Sequence, residues 1–544
     1  MFVTIFLTSF GLGLLLTLYL KRKQRQQLFK DLGIPGPEPH WWHGNLHQLY
    51  SKPNNHHKQL QKWTAEYGKI YGYFEGPTPV LCVSDLDFIQ EVFIKKFGTF
   101  NGRKLFQLQP DPEKSKVGIH IVNSRGDRWK RLRTIINPSF TSAKLKQIFP
   151  LINSKVDTLI NLMSEASNDD KAVNVHKMFQ RLTFDVMAEA AFGLESNVQH
   201  NTDDPFFLTC RRVFDQVEKN LLVRYIPYYI PEIRFHLWKC IQLIGHFGKN
   251  IFPAYAVIGK IAEVMNMRSK DPTLCRPDLL QMMLDAEVKS ATYDGNLEIS
   301  FDKDEEQKVT EKPVLHTIPR TQRRLTANVR HPYFLLSDEI KTQSMVFMLA
   351  GFETTSTALG LAVYQLATNP EKQKKLHMEI DELLTNEEDI SYSELSSLPY
   401  LDMVFRETLR MYPIGMTVVN RECMQSSTIQ GIEIPAGVNI QVDMTSVHHD
   451  AETWGPTDPL KFEPERFSPE IHDSRHPMAW IPFGAGPRNC VGLRLGMMEF
   501  KVVLARIMKK FEFVRCAETE DSLTLAEKGA ITPKHGVIVK VVSR

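Results

Sequence analysis

The segment from Ser337 to Thr368 constrains the fold more than any other part of the chain. Its residues between 345 and 364 are apolar on nearly every face of a helix, and an Asn-Pro pair follows its last turn. At 1.5 Å per residue, such a helix is a rod of about 45 Å. Because most of its faces must be covered, we expect a body of helices packed around it. Ser337, followed by two acids, is the predicted N-cap.

The remaining patterns predict a mainly α fold with a small β region. Further helices are expected around 371–384 and 398–412, and from just after Gly492 to about 511. Short strands are expected within 72–84, 428–434 and 536–542. Residues 302–332 are highly charged and lack periodicity. They are therefore predicted to be a solvated loop or a disordered insertion.

The first 20 residues contain no charged side chain, and a basic cluster follows within 21–25. About 20 apolar residues are needed to span a bilayer, and the basic flank indicates that the body of the chain faces the cytosol. We predict a transmembrane signal-anchor at 1–20, a basic stop and proline-rich hinge at 21–45, and one folded body over 46–544. The alternative is a cleaved signal peptide, which typically carries its charge before a shorter apolar run.

Composition excludes several classes of function. A net charge of +3 gives no indication of a nucleic-acid partner. The seven cysteines include no CxxC pair, and their number is odd, which disfavours a disulfide framework or a zinc site. Reduced thiols facing the cytosol fit this pattern better.

Residues 483–492 are Phe-Gly-Ala-Gly-Pro-Arg-Asn-Cys-Val-Gly. The glycines of this loop permit unusual backbone angles and close approach to something flat or bulky. Cys490 precedes a predicted helix N-terminus, which favours a thiolate, and Arg488 can pair with an anion. This arrangement suits an axial ligand to iron. The alternative is a catalytic cysteine, which needs a general-base histidine such as His448.

Ala350-Gly-Phe-Glu-Thr-Thr355 lies in the middle of the long predicted helix. Gly351 costs about 1 kcal/mol relative to alanine there, and we expect its missing side chain to let a ligand touch the backbone. Thr354 is expected to bond the carbonyl of Ala350 and bend the helix. The result is a notch with a hydroxyl and the Glu353 carboxylate. The alternative is an ordinary buried helix with an incidental Thr-Thr pair.

The cysteine loop resembles, position by position, the signature of the cytochrome P450 family: Phe483, Gly486, Arg488, Cys490 and Gly492 all match. The resemblance runs from the proline hinge to the C-terminus, apart from 302–332. It implies the cytochrome P450 fold, with 46–544 as a haem-thiolate monooxygenase domain. It also implies haem b as cofactor, with Cys490 as the proximal thiolate to the iron. One departure is Gly496, where the family more often has alanine.

The same resemblance implies roles for other residues. Glu353 and Thr354 would deliver protons to bound dioxygen. A buried structural network would comprise Glu407, Arg410 and Arg466. The haem propionates would be held by Trp129, Arg133, Arg421 and Arg488. Substrate-pocket candidates are Leu349, Ala350, Thr354, Ile414, Gly415 and Met416.

Two basic residues on the predicted helix of Trp129 are candidates for partner contact. Lys130 and Arg131 are expected to face solvent, on the side where the family docks its reductase. His449 stands where the family normally has arginine, so a propionate contact from that position is not expected.

The resemblance is closest to family 3, the branch oxidising steroids and drugs, at 32–37, 129–133 and 140–146. It implies insertion of one oxygen atom into a lipophilic steroid, fatty acid or xenobiotic. The electrons would come from NADPH through the flavins of a cytochrome P450 reductase, with cytochrome b5 as a further candidate partner. A single-pass location in the endoplasmic reticulum membrane is implied, with the catalytic domain cytosolic. Two alternatives are a haem-thiolate isomerase or dehydratase acting on a peroxide, and a non-catalytic haem protein.

Overall fold

The structure is a computed structural model. It describes residues 2–50, 56–105, 109, 111–113, 115, 117–219, 226–247, 252–287, 335–384, 390–472, 474–527 and 529–544. The insertion predicted at 302–332 lies outside these described residues.

Helices account for most of the described chain. The longer ones are labelled α1 (Phe2–Gln26), α2 (His56–Tyr67), α3 (Gly126–Ile136), α4 (Ser142–Asn168), α5 (Val175–Phe192), α6 (Pro205–Lys219), α7 (Arg234–Phe247), α8 (Pro253–Lys270), α9 (Ser337–Thr368), α10 (Pro370–Leu383), α11 (Pro399–Met411) and α12 (Leu493–Lys510). Shorter helices are Leu28–Asp31, Leu46–Tyr50, Leu86–Gln90, Leu279–Asp285, Met444–His448, Ala451–Trp454 and Pro469–His472. A single π-helical turn at Glu91–Lys95 lies beside the 3₁₀ turn Gly486–Arg488.

The strands are short and form two sheets and two hairpins. They are β1 (Ile70–Glu75), β2 (Thr78–Val83), β3 (Ala172–Asn174), β4 (Asn420–Glu422), β5 (Ser427–Ile429), β6 (Ile432–Ile434), β7 (Asn439–Val442), β8 (Phe511–Val514), β9 (Leu525–Glu527), β10 (Ile531–Pro533) and β11 (Ile538–Ser543). One sheet has the order β1-β2-β7-β4, in which only β2 and β7 run parallel, and the other has the order β3-β11-β8. The prediction of a mainly α fold with a small β region is therefore confirmed.

Helix α9 is the centre of the helical body, as its apolar composition predicts. Every residue from Thr355 to Ala367 is buried, and α5, α8 and α12 pack around the helix. Its first residue is Ser337, so the predicted N-cap is off by one position, and Leu336 is the N-cap. The Leu336 side chain cannot cap a helix. Instead, the carboxylate of Glu339 accepts a hydrogen bond from the Leu336 N–H at 3.1 Å.

Helix α1 extends past the predicted membrane segment. Among the described residues, two helices are long and apolar enough to cross a membrane. One is the buried α9, and the other is N-terminal, with its apolar window uncovered by the rest of the chain. The helix continues through the basic cluster to Gln26. Arg22 and Gln26 are buried against the body, while Lys21, Lys23 and Arg25 are exposed. The predicted stop is thus part of the same helix.

Candidate active site

The backbone of the cysteine loop is shaped by contact with a neighbouring turn. Gly484 and Gly486 have φ values of +70° and +68°, in the left-handed region that favours glycine. A Cβ on Gly486 would lie 2.0 Å from the carbonyl oxygen of Phe93. The predicted close approach therefore exists at Gly486, but its partner is the Glu91–Lys95 turn rather than a flat ligand. At Gly492 a Cβ would make only ordinary contacts.

Cys490 lies within the body of the protein, yet its side chain is accessible. Its N–H donates to the carbonyl of Phe483 at 2.9 Å, which closes the loop. The side chain is exposed. Burial within the body nevertheless raises the pKa of the thiol. The N–H groups of Gly492 and Leu493 and the charge of Arg133 act in the opposite direction on this pKa. An accessible sulfur in a desolvated position indicates that Cys490 faces an internal cavity.

The middle of α9 also has an accessible position. Ala350 is exposed although it lies at the centre of the most buried helix. The rings of Phe140 and Phe347 lie 6.0 Å apart, and Phe140 also lies 3.9 Å from where a Cβ on Gly492 would stand. This aromatic pair joins the start of α12 to the turn of α9 that carries Ala350. The start of α12, just after the cysteine loop, is therefore connected to the notch through this aromatic pair.

Within the notch, the hydroxyl of Thr354 donates to the carbonyl of Ala350 at 2.7 Å, as the spacing predicts. The prediction for Gly351 is wrong. A Cβ there would stand 2.5 Å from the sulfur of Met187 on α5. The missing side chain accommodates a close helix–helix contact, so it does not open the backbone to a ligand.

A cluster of arginines lies next to Cys490. Arg488 is buried, lies 4.7 Å from the ring centroid of Trp129 and donates to the carbonyl of Ser124 at 2.5 Å. Arg133 donates to both oxygens of Asn489 at 2.8 Å. Arg133 and Arg488 were predicted from the sequence, as was Arg421, whereas Arg103 was not. We refer to Arg103, Arg133, Arg421 and Arg488 as the arginine cluster.

The other two members of the arginine cluster reach the loop from distant parts of the chain. Arg103 donates to the carbonyl of Arg488 at 2.9 Å, and the buried Arg421 donates to that of Ala485 at 2.8 Å. Sequence reasoning missed Arg103. It lies in a segment without periodicity, and only its contact with the loop reveals it.

The arginine cluster requires an anion. Among the described residues, no carboxylate pairs with any of its four members. Burial and then the charge of Arg103 lower the pKa of Arg421 and of Arg488, and burial lowers that of Arg103 to about 10. Several guanidinium nitrogens, namely Arg103 Nε, Arg421 Nε, Arg488 Nε and Arg488 Nη1, are buried without a hydrogen-bond partner. A cofactor carrying two carboxylates and an iron beside Cys490 fits these residues, as haem does.

The carboxylate of Glu353 is bound by a residue of α5. It is buried and accepts a hydrogen bond from the amide of Gln180 at 3.0 Å. It also lines a polar cavity of 260 Å³ between α5, α6 and β10. The other polar side chains at this cavity are His176, Lys177, Arg211, Asp215, Thr532, Lys534 and His535. The structure therefore places the acid between a polar cavity and the notch, and Gln180 is a partner that the sequence did not suggest.

The predicted network of charged residues is present, and it lies next to the start of the cysteine loop. Arg410 binds both oxygens of Glu407 at 2.6 and 2.8 Å, and the Nε of Arg466 lies 3.4 Å from the same carboxylate. All three are buried. Arg410 also donates to the carbonyl of His448, whose ring accepts from the Ile481 N–H at 3.2 Å. The network is thus connected to the start of the loop.

The two histidines of this region have structural contacts. Burial lowers the pKa of His448 to about 3 and that of His449 to about 4. His449 lies 3.2 Å from the carbonyl of Met411. In the described part of the chain no histidine is hydrogen-bonded to Cys490, and His448 is engaged with Ile481. The cysteine-nucleophile alternative therefore lacks its general base there.

The predicted pocket residues divide between two clusters. Leu349 is half-buried beside the exposed Ala350, and Gly415 is half-buried. Ile414 belongs to the helical core, and its carbonyl accepts from the Ile531 N–H at 3.0 Å. Met416 packs into the core of the β1-β2-β7-β4 sheet.

The basic residues on α3 do not behave alike. Lys130 is exposed, as predicted. The prediction for Arg131 is wrong, because it is buried and lies 2.7 Å from the Glu339 carboxylate at the start of α9. Arg131 therefore belongs to the core of the fold, since its spacing on α3 turns it toward α9 rather than outward.

Comparison with known proteins gives a consistent assignment. The family model "Cytochrome P450" matches residues 34–305 and 325–541, and the unmatched 306–324 fall within the predicted insertion. Cytochrome P450 3A9 of Rattus norvegicus is 32% identical over 538 residues, which cover 97% of this chain and 95% of the relative. Cytochrome P450 3A11 of Mus musculus is 33% identical over 542 residues, with the same coverage. Putative cytochrome P450 CYP13A4 of Caenorhabditis elegans is 33% identical over 524 residues, 94% of each chain.

Proposed function

The chain belongs to the cytochrome P450 family, and from this premise we propose that it is a membrane-anchored monooxygenase acting on lipophilic substrates. The predicted resemblance to family 3 is confirmed by relatives of that name. The substrate class we infer is steroids, fatty acids or xenobiotics. One oxygen atom of O₂ would enter the substrate as a hydroxyl group, and the other would leave as water.

The observation that carries this proposal is the position of Cys490. Its sulfur is accessible within the body, beside four arginines that have no carboxylate partner among the described residues. Cys490 would bind the iron of haem b, and the arginine cluster with Trp129 would hold the propionates. When bound, the haem supplies dioxygen activation, which the thiolate ligand favours.

The residues of α9 would supply protons on the other side of the cavity. Thr354 holds its hydroxyl at the notch by donating to Ala350. Glu353, with Gln180, lines the polar cavity and would pass protons from that side toward the notch. The network of Glu407, Arg410 and Arg466 would keep the cysteine loop in position.

We infer that electrons come from NADPH through a separate flavoprotein, the cytochrome P450 reductase, with cytochrome b5 as a further candidate. The chain contains no nicotinamide- or flavin-binding motif. Lys130, exposed on α3, is the basic residue we assign to the docking surface.

We infer a single-pass location in the endoplasmic reticulum membrane, with the catalytic domain in the cytosol. The apolar part of α1 has large exposed side chains, including Phe2, Phe6 and Leu12, and exposed basic residues follow it. Lipophilic substrates dissolved in the bilayer would then reach the body directly.

The first experiment is a carbon-monoxide difference spectrum of the reduced protein. The wild type and Cys240→Ala, a variant at an exposed cysteine of α7, should both show the thiolate-type Soret band. Cys490→Ala should lose it. A folded wild-type protein without this band would contradict the haem-thiolate assignment.

The second experiment identifies the substrate and the reaction. Steroids, fatty acids and drug-like compounds are screened for a type-I spectral shift, and binders are incubated with NADPH and reductase. Hydroxylated product that requires both supports the monooxygenase. Turnover of a peroxide without NADPH would instead favour the isomerase or dehydratase alternative, and binding without any turnover would favour a non-catalytic haem protein.

A further inference from the structure

His120 lies on a turn that connects the arginine cluster to α9. The carbonyl of His120 accepts hydrogen bonds from the N–H groups of Asn123 and Ser124, at 3.1 and 2.9 Å. The carbonyl of Ser124 is the acceptor for Arg488. At the other side of the turn, the Ile121 N–H donates to the side chain of Gln343 on α9 at 3.1 Å. The turn is therefore hydrogen-bonded both to the arginine cluster and to α9.

Contacts within the turn define the tautomer of the His120 ring. The Val122 N–H donates to Nδ1 of His120 at 3.3 Å, so Nδ1 is an acceptor. In a neutral imidazole the proton is then on Nε2. The side chain is 7% exposed, and burial and then the charge of Arg103 lower the pKa of His120 to about 3. Burial and the charge of Arg103 thus favour the neutral ring, which is a donor through Nε2.

This donor has no acceptor within the described part of the chain. Within that part of the chain the ring is hydrogen-bonded through Nδ1 alone, and the charged group that acts on it electrostatically is Arg103. A fifth cation beside the four guanidinium groups of the arginine cluster would add repulsion, whereas a neutral N–H adds a hydrogen bond without charge. The surroundings of His120 therefore favour an anion that accepts hydrogen bonds both from its Nε2–H and from the arginine cluster.

We propose that the Nε2–H of His120 donates to one of the two haem propionates that the arginine cluster would bind. This inference rests on the proposed function, since it requires haem at Cys490. His120 is then a haem-binding residue of this chain, in addition to Trp129 and the four arginines. Its tautomer is set by the Val122 N–H.

Two substitutions separate the donor from the turn. His120→Asn retains an acceptor near the position of Nδ1 for Val122 but has no group that reaches as far as Nε2. His120→Gln retains an N–H at about the reach of Nε2. His200→Asn, at an exposed histidine between α5 and α6, is the matched control.

The measurement is the rate of haem transfer from each holoenzyme to excess apomyoglobin. Loss of a hydrogen bond to a charged group corresponds to an increase of about tenfold or more in the rate of haem release. We expect His120→Asn to release haem about tenfold faster than the wild type, and His120→Gln and His200→Asn to stay within about threefold. The propionate bending band in the resonance Raman spectrum should shift in His120→Asn and not in His200→Asn.

Three results would overturn the inference. Wild-type haem release by His120→Asn excludes the hydrogen bond. Faster release with an unchanged propionate band assigns His120 a role in the turn only. Unchanged release with a changed substrate affinity indicates that Nε2 faces the substrate. If the wild type itself lacks the thiolate-type Soret band, the proposed function has failed, and that result is distinct from all three.

Discussion

The side chain of Met187 on α5 occupies the space into which a Cβ on Gly351 of α9 would project. Three of its atoms, including the sulfur, would lie between 2.5 and 2.8 Å from that Cβ. Met187 is itself buried, so it has little room to move. The glycine in the middle of the longest helix therefore serves the contact between the two helices.

The effect of Gly351→Ala on stability, measured with and without the Met187 side chain, tests this contact. Overpacking should cost about 1–3 kcal/mol, partly offset by about 1 kcal/mol of helix propensity. In a Met187→Ala background the clash is gone, so the same substitution should stabilise by up to about 1 kcal/mol. The thermal unfolding midpoint of the four proteins of this cycle gives the coupling. Equal effects in both backgrounds, together with weakened ligand binding, would restore the original expectation that a ligand touches Gly351.

Thr354→Ala tests the proposed proton delivery. Without the hydroxyl we expect NADPH consumption to continue while product formation falls roughly tenfold or more, with peroxide as the alternative product. Product, peroxide and NADPH are measured in the same reconstituted reaction. The matched control is Thr342→Ala, since the Thr342 hydroxyl makes the same bond to the carbonyl of Asp338 at 2.7 Å on α9. Full coupling in Thr354→Ala would contradict the relay.

Glu499 on α12 gives the fold a pH dependence. It is 1% exposed, and its Oε1 has no hydrogen-bond partner among the described residues. Burial raises the pKa of this carboxyl to about 8. The folded protein then keeps the proton that the unfolded chain loses above its ordinary pKa. Stability should therefore fall as pH rises from about 4.5 to about 8 and level off above it.

Glu499→Gln should remove this dependence. Between pH 5.5 and 9, the wild type should lose on the order of 3 kcal/mol more stability than the variant. Thermal unfolding midpoints at both pH values provide the comparison. Glu512→Gln, at an exposed position on β8, should behave like the wild type. The same pH profile in Glu499→Gln and the wild type would mean that the Glu499 carboxyl is ionised in the folded protein.

Arg22 attaches α1 to the body. Its guanidinium donates to the carbonyls of Trp42 and Tyr229 at 2.9 and 2.7 Å, and it lies 4.4 Å from the Trp42 ring centroid. Arg22→Lys keeps the charge that orients a membrane anchor but loses the forked geometry. We expect unchanged membrane topology but at least about threefold faster cleavage by proteinase K between 27 and 45, because charged-group hydrogen bonds are lost.

Lys23→Gln is the matched control for Arg22→Lys, because Lys23 is the next residue of α1 and its side chain is exposed. Its cleavage rate should match the wild type. Equal cleavage rates for Arg22→Lys and the wild type would mean that Arg22 acts only as a positive charge flanking the apolar segment.

The helices were predictable because their signals are local. The apolar run of α9, the Asn-Pro pair after it, and the prolines at the starts of α10 and α11 place the element ends within one or two residues. The bond from Thr354 to Ala350 spans four residues of one helix, so spacing alone predicts it. The five matching positions of the cysteine loop were likewise enough to indicate the family.

The partners of these residues depend on chain segments far apart in sequence. Arg103 meets Arg488 across 385 residues, and Arg131 meets Glu339 across 208. The close contact that requires glycine at 486 comes from Phe93. No local pattern encodes such contacts, because they depend on how helices and turns pack. The sequence by itself determined where helices form and which thiol stands in the loop with the family signature. Tertiary packing decided which arginines meet at the cysteine loop and which glycine accommodates a neighbouring side chain.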